Sequence, residues 1–446
     1  MAPNTIPSEF NGATESERLL GTGSADSIIE PRTHEFISGQ DREAIALKLA
    51  AAAYSFVVAG LFVATIGVTL PHQQTYYQLN DIQVSAIFLV GPVGYCLASL
   101  LNSRIHEKLG QRGIAFVGPA CHLVYAAVGS FHPPFPVLLL GVTVGSFGVG
   151  IVDGSWCAWV AALNNANTLS GLLHGSFSIG AATCPYLAGI MLSANNGQWY
   201  QWFYVLAIAS TAEVVFLPLA FRHETAAMYH EKKKKQGNTE DGVDQRAIFR
   251  YSATWIYAAY LLAYVGTECT VSGWVVTFML RVRHTSTYAS SICSSGFWAG
   301  MAVGRLALGA VTEKLTPKRA VIIYLALAPA IVMLFMIVQV LWVSVLSMAL
   351  LGFVMGPLFP SCIVEFVHYL PKELHVGAVS FVASLGQVGG AILPYMLGVI
   401  TQVAGLHVFP YMLLSQFAVI LLLWLISFKV AGKKILPEEP VRIRQD

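Results

Sequence analysis

The sequence predicts an all-α polytopic membrane protein, with twelve transmembrane helices in two six-helix bundles related by a parallel repeat. Three observations carry that prediction. Only 11% of the 446 residues are charged and 55% are hydrophobic, with a mean hydropathy of +0.62, whereas a soluble domain carries roughly 25% charged residues. Apolar runs of about 20 residues, the length that spans hydrocarbon as a helix, recur along the chain. One charge-rich stretch, Arg222 to Arg250, interrupts them near the midpoint with seven Lys or Arg residues, Lys232 to Lys235 consecutive. No bilayer core accepts such a run, so it separates two hydrophobic halves and marks one membrane face as cytoplasmic.

Residues 1–44 are polar and lack the short apolar core of a cleavable signal peptide, so they read as a disordered cytoplasmic tail. Within them, Glu15-Ser16-Glu17-Arg18-Leu19-Leu20 fits an acidic dileucine sorting pattern, which also arises by chance. Six apolar segments follow over 45–70, 82–104, 113–131, 135–163, 168–192 and 200–221, forming a bundle over 45–221. The connection 222–250 is expected to be solvated and flexible. Six more segments lie over 251–280, 286–311, 319–340, 342–369, 375–400 and 408–430, a second bundle over 251–430, before a cytoplasmic tail 431–446. With both tails inside, all of the 26 Lys and Arg residues except Arg281 and Arg283 fall in cytoplasmic segments or at cytoplasmic helix ends. The seven cysteines all lie in apolar runs, which argues against a disulfide framework.

The halves repeat each other. Glu107-Lys108-Leu109 recurs 206 residues later as Glu313-Lys314-Leu315, and Gly150 recurs at the same offset as Gly356. Pro185-Tyr186 and Gly189 recur 209 residues later as Pro394-Tyr395 and Gly398. Markers at offsets of 206 and 209 in equivalent helices indicate a six-plus-six parallel repeat, an architecture in which two bundles rock about a central site.

The connection between the second and third helices reads Ser103-Arg104-Ile105-His106-Glu107-Lys108-Leu109-Gly110-Gln111-Arg112, with a second copy at Gly309 to Thr316 followed by Lys318 and Arg319. It resembles the signature loop of the major facilitator superfamily, Gly-x-Leu-Ala-Asp-Arg-x-Gly-Arg-Arg. The resemblance implies a gating latch of Glu107, Lys108, Gly110, Arg112, Arg305, Glu313 and Lys314, an acid at a helix end that binds neighbouring termini in one state and releases them in another. Topology marking by charge is the simpler reading of the same residues. Within the superfamily, Leu172 to Ala181, Tyr264 to Trp274, Gly300-x-x-x-Gly304-Arg305 and Gly352 to Pro360 are similar to the fucose permease-like group and its fungal "bypass of stop codon" members. Two positions depart from that group. Phe62-Val63 stands where the resemblance implies Asn-Asp in the first helix, and Cys157 where it implies a substrate-contacting Asn in the fourth. Transport carries over from the resemblance more firmly than sugar-proton symport does.

An acid at the bilayer midplane costs about 2.5–3.5 kcal/mol and needs a reason. Glu268, among Gly266, Thr267, Thr270, Ser272 and Gly273, is expected to face a central cavity as a coupling or substrate-binding carboxylate. Asp153 in the fourth helix is expected to do the same from the other half. Glu213 reads as a packing or snorkelling residue, and Glu365 and His368 as a gate contact or plain interfacial exposure. His174 is a candidate proton acceptor; His122, in a peripheral helix, is a weaker one. Trp156, Trp159, Trp274 and Trp298 are expected to line the cavity or to pack, and Gln387 to contact solute.

No Walker loop, HExxH or metal-ligand spacing of cysteines occurs, so the expectation is no catalytic residue, no metal, no cofactor, and transport driven by a gradient. The expected partners are a small-molecule solute, the lipid bilayer and protons, with no nucleic acid, for a protein working as a monomer in a plasma or vacuolar membrane. The leading expectation is a secondary, proton-linked transporter of a small organic solute, leaning to metabolite export over sugar-type uptake. A non-transporting solute sensor and a lipid scramblase are remoter alternatives; the short tails argue against the sensor.

Overall fold

Every apolar segment named above forms a helix. The computed structural model of the chain describes residues 39–163, 166–235, 245–371 and 374–430. The sorting pattern, the C-terminal tail and most of the N-terminal tail lie outside the described residues. In chain order the helices are α1 (Gly39–Tyr76), α2 (Asp81–Ser130), α3 (Phe135–Ala161), α4 (Ala166–Ala194) and α5 (Tyr200–Ala220). A short α6 (Ala226–Lys235) is followed by α7 (Ser252–Arg281), α8 (Thr287–Leu315) and α9 (Pro317–Ile337). The chain closes with α10 (Leu341–Met355), α11 (Leu358–Val367), α12 (His375–Ala404) and α13 (Phe409–Val430). Leu47 onward forms one unit, within which all the contacts below fall.

Among the described residues, 10 helical stretches are long and apolar enough to cross a membrane. Two features raise that number to twelve crossings. The 50-residue α2 turns at Gly110 and so holds two spans. The 29-residue α8 is long enough to cross, but Ser290, Ser291, Ser294, Ser295 and Arg305 dilute its hydropathy. A further span is broken rather than doubled: α10 and α11 cross as one unit interrupted at Gly356-Pro357, because proline lacks the N–H that would continue the helix.

The corner at Gly110 has φ +69° and ψ −172°, a region essentially reserved for glycine. A Cβ there would also overlap the backbone of Thr225 and Ala226 at the start of α6. The corner is tied to that segment by Arg112 N–H donating to the Glu224 carbonyl at 3.0 Å and by His230 Nε2 at 2.9 Å from the Glu107 carbonyl. Lys48 of α1 pairs with the Glu224 carboxylate at 2.6 Å. The charge-rich connection is therefore not solvated chain throughout: Ala226–Lys235 is helical, and its start docks on the corner between the second and third crossings.

The repeat is visible in packing as well as in sequence. A Cβ on Gly94 would overlap the carbonyl oxygen of Thr143 in α3, and one on Gly300 would overlap that of Ala349 in α10. Gly94 and Gly300 are 206 residues apart, and so are Thr143 and Ala349. The same small-residue seam thus joins equivalent helices in both halves, α1–α5 and α7–α13.

The halves meet at one end. Gly67 of α1 lies against Ser272 of α7, Gly398 of α12 against Ser85 of α2, and Gly189 of α4 against Ser291 of α8. This is the end that the charge bias assigns to the outside. Toward the other end α4 and α8 part: side chains at Gly171, Gly175 or Gly309 would meet no atom within 4 Å, and Leu172, His174 and Leu306 are exposed. The space between the halves opens toward the face that carries the connection 222–250.

Candidate functional site

Glu268 lies sixteen residues from the start of α7 and thirteen from its end, at mid-helix. Its carboxylate is 14% exposed and stands 3.9 Å from Arg305 Nη2 of α8. Arg305 lies ten residues inside the inner end of α8, about 15 Å along the helix. Expected among the cytoplasmic helix ends and the latch, it stands beside the central acid. An arginine so deep persists because its fork is occupied: Nη2 faces Glu268 and the Met301 sulfur at 3.3 Å, and Nη1 donates to Ser178 Oγ of α4 at 3.1 Å. Ser178 Oγ in turn donates to the His174 carbonyl at 3.0 Å.

The Tyr264 hydroxyl is one helical turn from Glu268, beside both Glu268 and Arg305. It donates to the Met355 carbonyl at 3.1 Å. Met355 ends α10, so its carbonyl lacks a helical partner, and the break at Gly356-Pro357 becomes the anchor for a tyrosine of the site.

Asp153 faces this group from α3. Tyr95 of α2 donates to its Oδ2, and Cys157 lies one turn on with Sγ 3.6 Å from Oδ1. Cys157 Sγ is also 3.8 Å from His174 Nε2, and His174 lies within the fields of both Asp153 and Arg305. Tyr95, Asp153, Cys157, His174 and Ser178 of one half therefore face Arg305, Glu268 and Tyr264 of the other. The set holds two carboxyls, one guanidinium and one imidazole, and it can hydrogen-bond a polar solute, exchange protons with it, and draw the halves together.

The other candidates fall elsewhere. Trp298 packs at the seam between the halves, its ring 6.0 Å from Phe177 of α4. Trp274 is buried and donates from Nε1 to the Pro394 carbonyl at 3.0 Å, pinning α7 to α12. Trp156 is buried in a stack on Phe221 at 4.3 Å, with Trp159 edge-on to both rings, so this pair packs the inner end of its own half rather than lining the path. Gln387 is half-buried on α12, whose neighbouring Gly386 and Gly390 lie against Val265 and Cys269 of α7.

Lys108 and Arg112 are exposed around the Gly110 corner, and Lys314 is exposed at the end of α8; the Glu313 side chain lies outside the described residues. Glu365 is buried against Lys318 at 3.0 Å and accepts from Tyr369 at 3.0 Å, while His368 is exposed. Two residues read separately in the sequence prove to be partners. His122 Nδ1 is 2.9 Å from Glu213 Oε2, Ser55 donates to Oε1 at 2.5 Å, and His122, Glu213 and Ser55 are fully buried. Phe62 stacks on His122 at 5.1 Å.

Sequence reasoning missed Tyr95, Tyr264 and Ser178. Tyr264 and Ser178 had a signal, each one turn from a named residue on the same helix face. Tyr95 had none, being one aromatic in an apolar helix.

The sequence profile of the Major Facilitator Superfamily matches residues 52–394 and 256–444. The chain is 29% identical over 410 residues to Bypass of stop codon protein 6 of Saccharomyces cerevisiae, covering 85% of this chain and 82% of that protein. It is 24% identical over 397 residues to a Glucose/galactose transporter of Brucella abortus, covering 84% and 92%. Among solved structures, the nucleoside transporter NupG superposes with a TM-score of 0.64 at 15% identity, covering 88% of this chain and 100% of that one. A mutant form of NupG gives 0.69.

Proposed function

The chain belongs to the Major Facilitator Superfamily as a secondary transporter of a small solute, and we propose that its solute is neutral and hydroxyl-rich, of the hexose kind, moved together with protons. The observation that carries this reading is the Arg305 guanidinium, shared between Glu268 of its own half and Ser178 of the other. Glu268 compensates Arg305 internally, so the centre offers hydrogen-bonding groups rather than a strong field for a charged ligand. The hydroxyl oxygens of Tyr95, Tyr264 and Ser178, whose protons go to Asp153, Met355 and His174, and the His174 ring offer acceptors of the type that solute hydroxyls satisfy. The relatives named as glucose/galactose transporters support the same direction. The lean to metabolite export rested on the missing first-helix acid and on apolar and aromatic residues; of the aromatics, Trp156 and Trp274 are buried in packing away from the centre.

Coupling follows from the same geometry. Ionised, Glu268 holds Arg305 and leaves it one arm for Ser178. Protonated, Glu268 no longer attracts the guanidinium, which is then drawn toward Asp153 and His174 in the opposite half. Proton binding thereby shifts the balance between cross-half and within-half contacts, the quantity that decides which way the path faces. Asp153, held by Tyr95, is the second proton carrier and takes the place of the acid that the resemblance implies in the first helix, where Val63 stands.

The test is a comparison of solutes inside and outside cells with and without the gene, followed by uptake of labelled hexoses. The reading expects a hexose-like solute to change its distribution. A change confined to charged or strongly apolar metabolites would contradict it.

A further inference from the structure

The charge bias leaves two arginines outside, Arg281 and Arg283, and the central site uses neither. Arg283 serves its own half. It donates to the Phe335 and Met336 carbonyls at 2.5 and 3.4 Å and lies over the Phe278 and Phe335 rings. Arg281 reaches across. Its Nη1 is 2.7 Å from Asp81 Oδ1 and its Nη2 is 3.4 Å from Oδ2. Gln74 of α1 donates to the same Oδ1 at 2.6 Å, and the Asp81 backbone N–H donates to Gln402 Oε1 of α12 at 3.0 Å. Four helices, two from each half, are thus knotted around Asp81, whose side chain is only 5% exposed.

The helix ends favour this pair. Asp81 is the first residue of α2, where unpaired N–H groups make the end positive, and a capping box between Asn80 and Gln83 fixes that end. Arg281 is the last residue of α7, where unpaired carbonyls make the end negative. Each charge is stabilised by its own helix and then by the other charge. Just beneath the knot, Ser85 lies against Gly398 and Gly67 against Ser272, which leaves no passage for a solute. Beside it, a cavity of about 460 Å³ is lined by residues including His72, Gln74, Gln78, Leu280 and Arg281.

We propose that Asp81 and Arg281 form the outer gate of the transport path. The pair holds the outer ends of the halves together in this inward-open arrangement and separates each time the path opens outward. They are positioning residues: they set which side is open and do not touch the solute. This gate depends neither on the identity of the solute nor on proton coupling, so it stands or falls separately from the reading of the central site.

The test uses Ser85→Cys, buried directly below the pair, as a reporter in intact cells exposed to a membrane-impermeant maleimide, with the parent lacking Ser85→Cys giving the background of the seven native cysteines. Asp81→Asn or Arg281→Gln should raise the labelling rate at least about fivefold, the lower end of typical coupling between states. The exchange Asp81→Arg with Arg281→Asp should restore slow labelling only in part, because each charge then faces the wrong helix end. A merely structural pair would not move labelling in this graded order. Unchanged labelling in single variants of normal membrane abundance would overturn the gate. If the single variants fail to reach the membrane, Arg281→Lys and the exchanged pair carry the test: faster labelling than the Ser85→Cys parent in either supports the gate, and parental labelling in both overturns it.

Discussion

Arg305 of α8 touches both halves at once, with Glu268 of α7 at 3.9 Å on one nitrogen and Ser178 of α4 at 3.1 Å on the other. A guanidinium is suited to this because its donors are fixed in a planar fork, whereas an ammonium is a single point charge on a flexible stem. The central cluster therefore bridges the two halves, and under the proposed function this ties its chemistry to their motion.

The fork yields the first prediction. Arg305→Lys keeps the charge but cannot serve both partners, so transport should fall several-fold. Arg305→Ala should drop it below about a tenth of wild type, a barrier change of about 1.4 kcal/mol or more. Initial rates at matched membrane abundance check both. An Arg305→Lys rate equal to wild type would show that charge alone matters at this position.

At the corner between the second and third crossings, Gly110→Ala meets two penalties, a glycine-only backbone conformation and overlap with Thr225 and Ala226. The conformational part alone costs about 1–3 kcal/mol. Lower thermal stability in detergent and slower transport are expected. Glu107→Ala leaves the backbone intact and should slow transport at near-normal abundance. Normal transport by that variant would remove its side chain from gating.

The buried His122–Glu213 pair predicts an asymmetry in stability. His122→Leu strands the Glu213 carboxyl and should cost about 3–5 kcal/mol, whereas His122→Leu with Glu213→Leu should recover most of that loss. Thermal unfolding of the purified variants measures it. A double variant no better than the single one would mean that the two side chains do not act as a pair.

Sidedness gives a simpler prediction. With the Arg222–Arg250 connection cytoplasmic, an impermeant reagent on intact cells should label a cysteine placed at Asn196, in the turn after α4, and miss one at Gly237. The reverse pattern would invert the assignment.

The fold was legible because its signals are long and redundant. Twenty-residue apolar runs and a repeat at an offset of 206 survive an error at any single position. The depth of Glu268 and Asp153 was legible for the same reason, since an acid in such a run is costly wherever it points. Arg305 was misplaced because a basic residue some ten positions from a helix end looks like topology marking, and only the partner on α4 shows otherwise. The union of His122 with Glu213 was invisible because 91 residues separate them and each alone looks like packing. Trp156 stayed between cavity lining and packing because an aromatic on a cavity-lining helix faces inward at some positions and a neighbouring helix at others, which composition does not distinguish.

The central claim is that solute movement is tied to proton binding at Glu268. Its most direct measurement is solute flux into proteoliposomes with and without an imposed pH difference, for wild type, Glu268→Gln and Asp153→Asn, using the hexose identified in cells. Glu268→Gln keeps the shape and hydrogen bonding of the side chain but carries no charge. Wild type should accumulate solute when the pH difference is imposed, and Glu268→Gln should lose that accumulation while retaining part of its solute exchange. Wild-type accumulation indifferent to the pH difference would contradict the account and leave facilitated diffusion in its place.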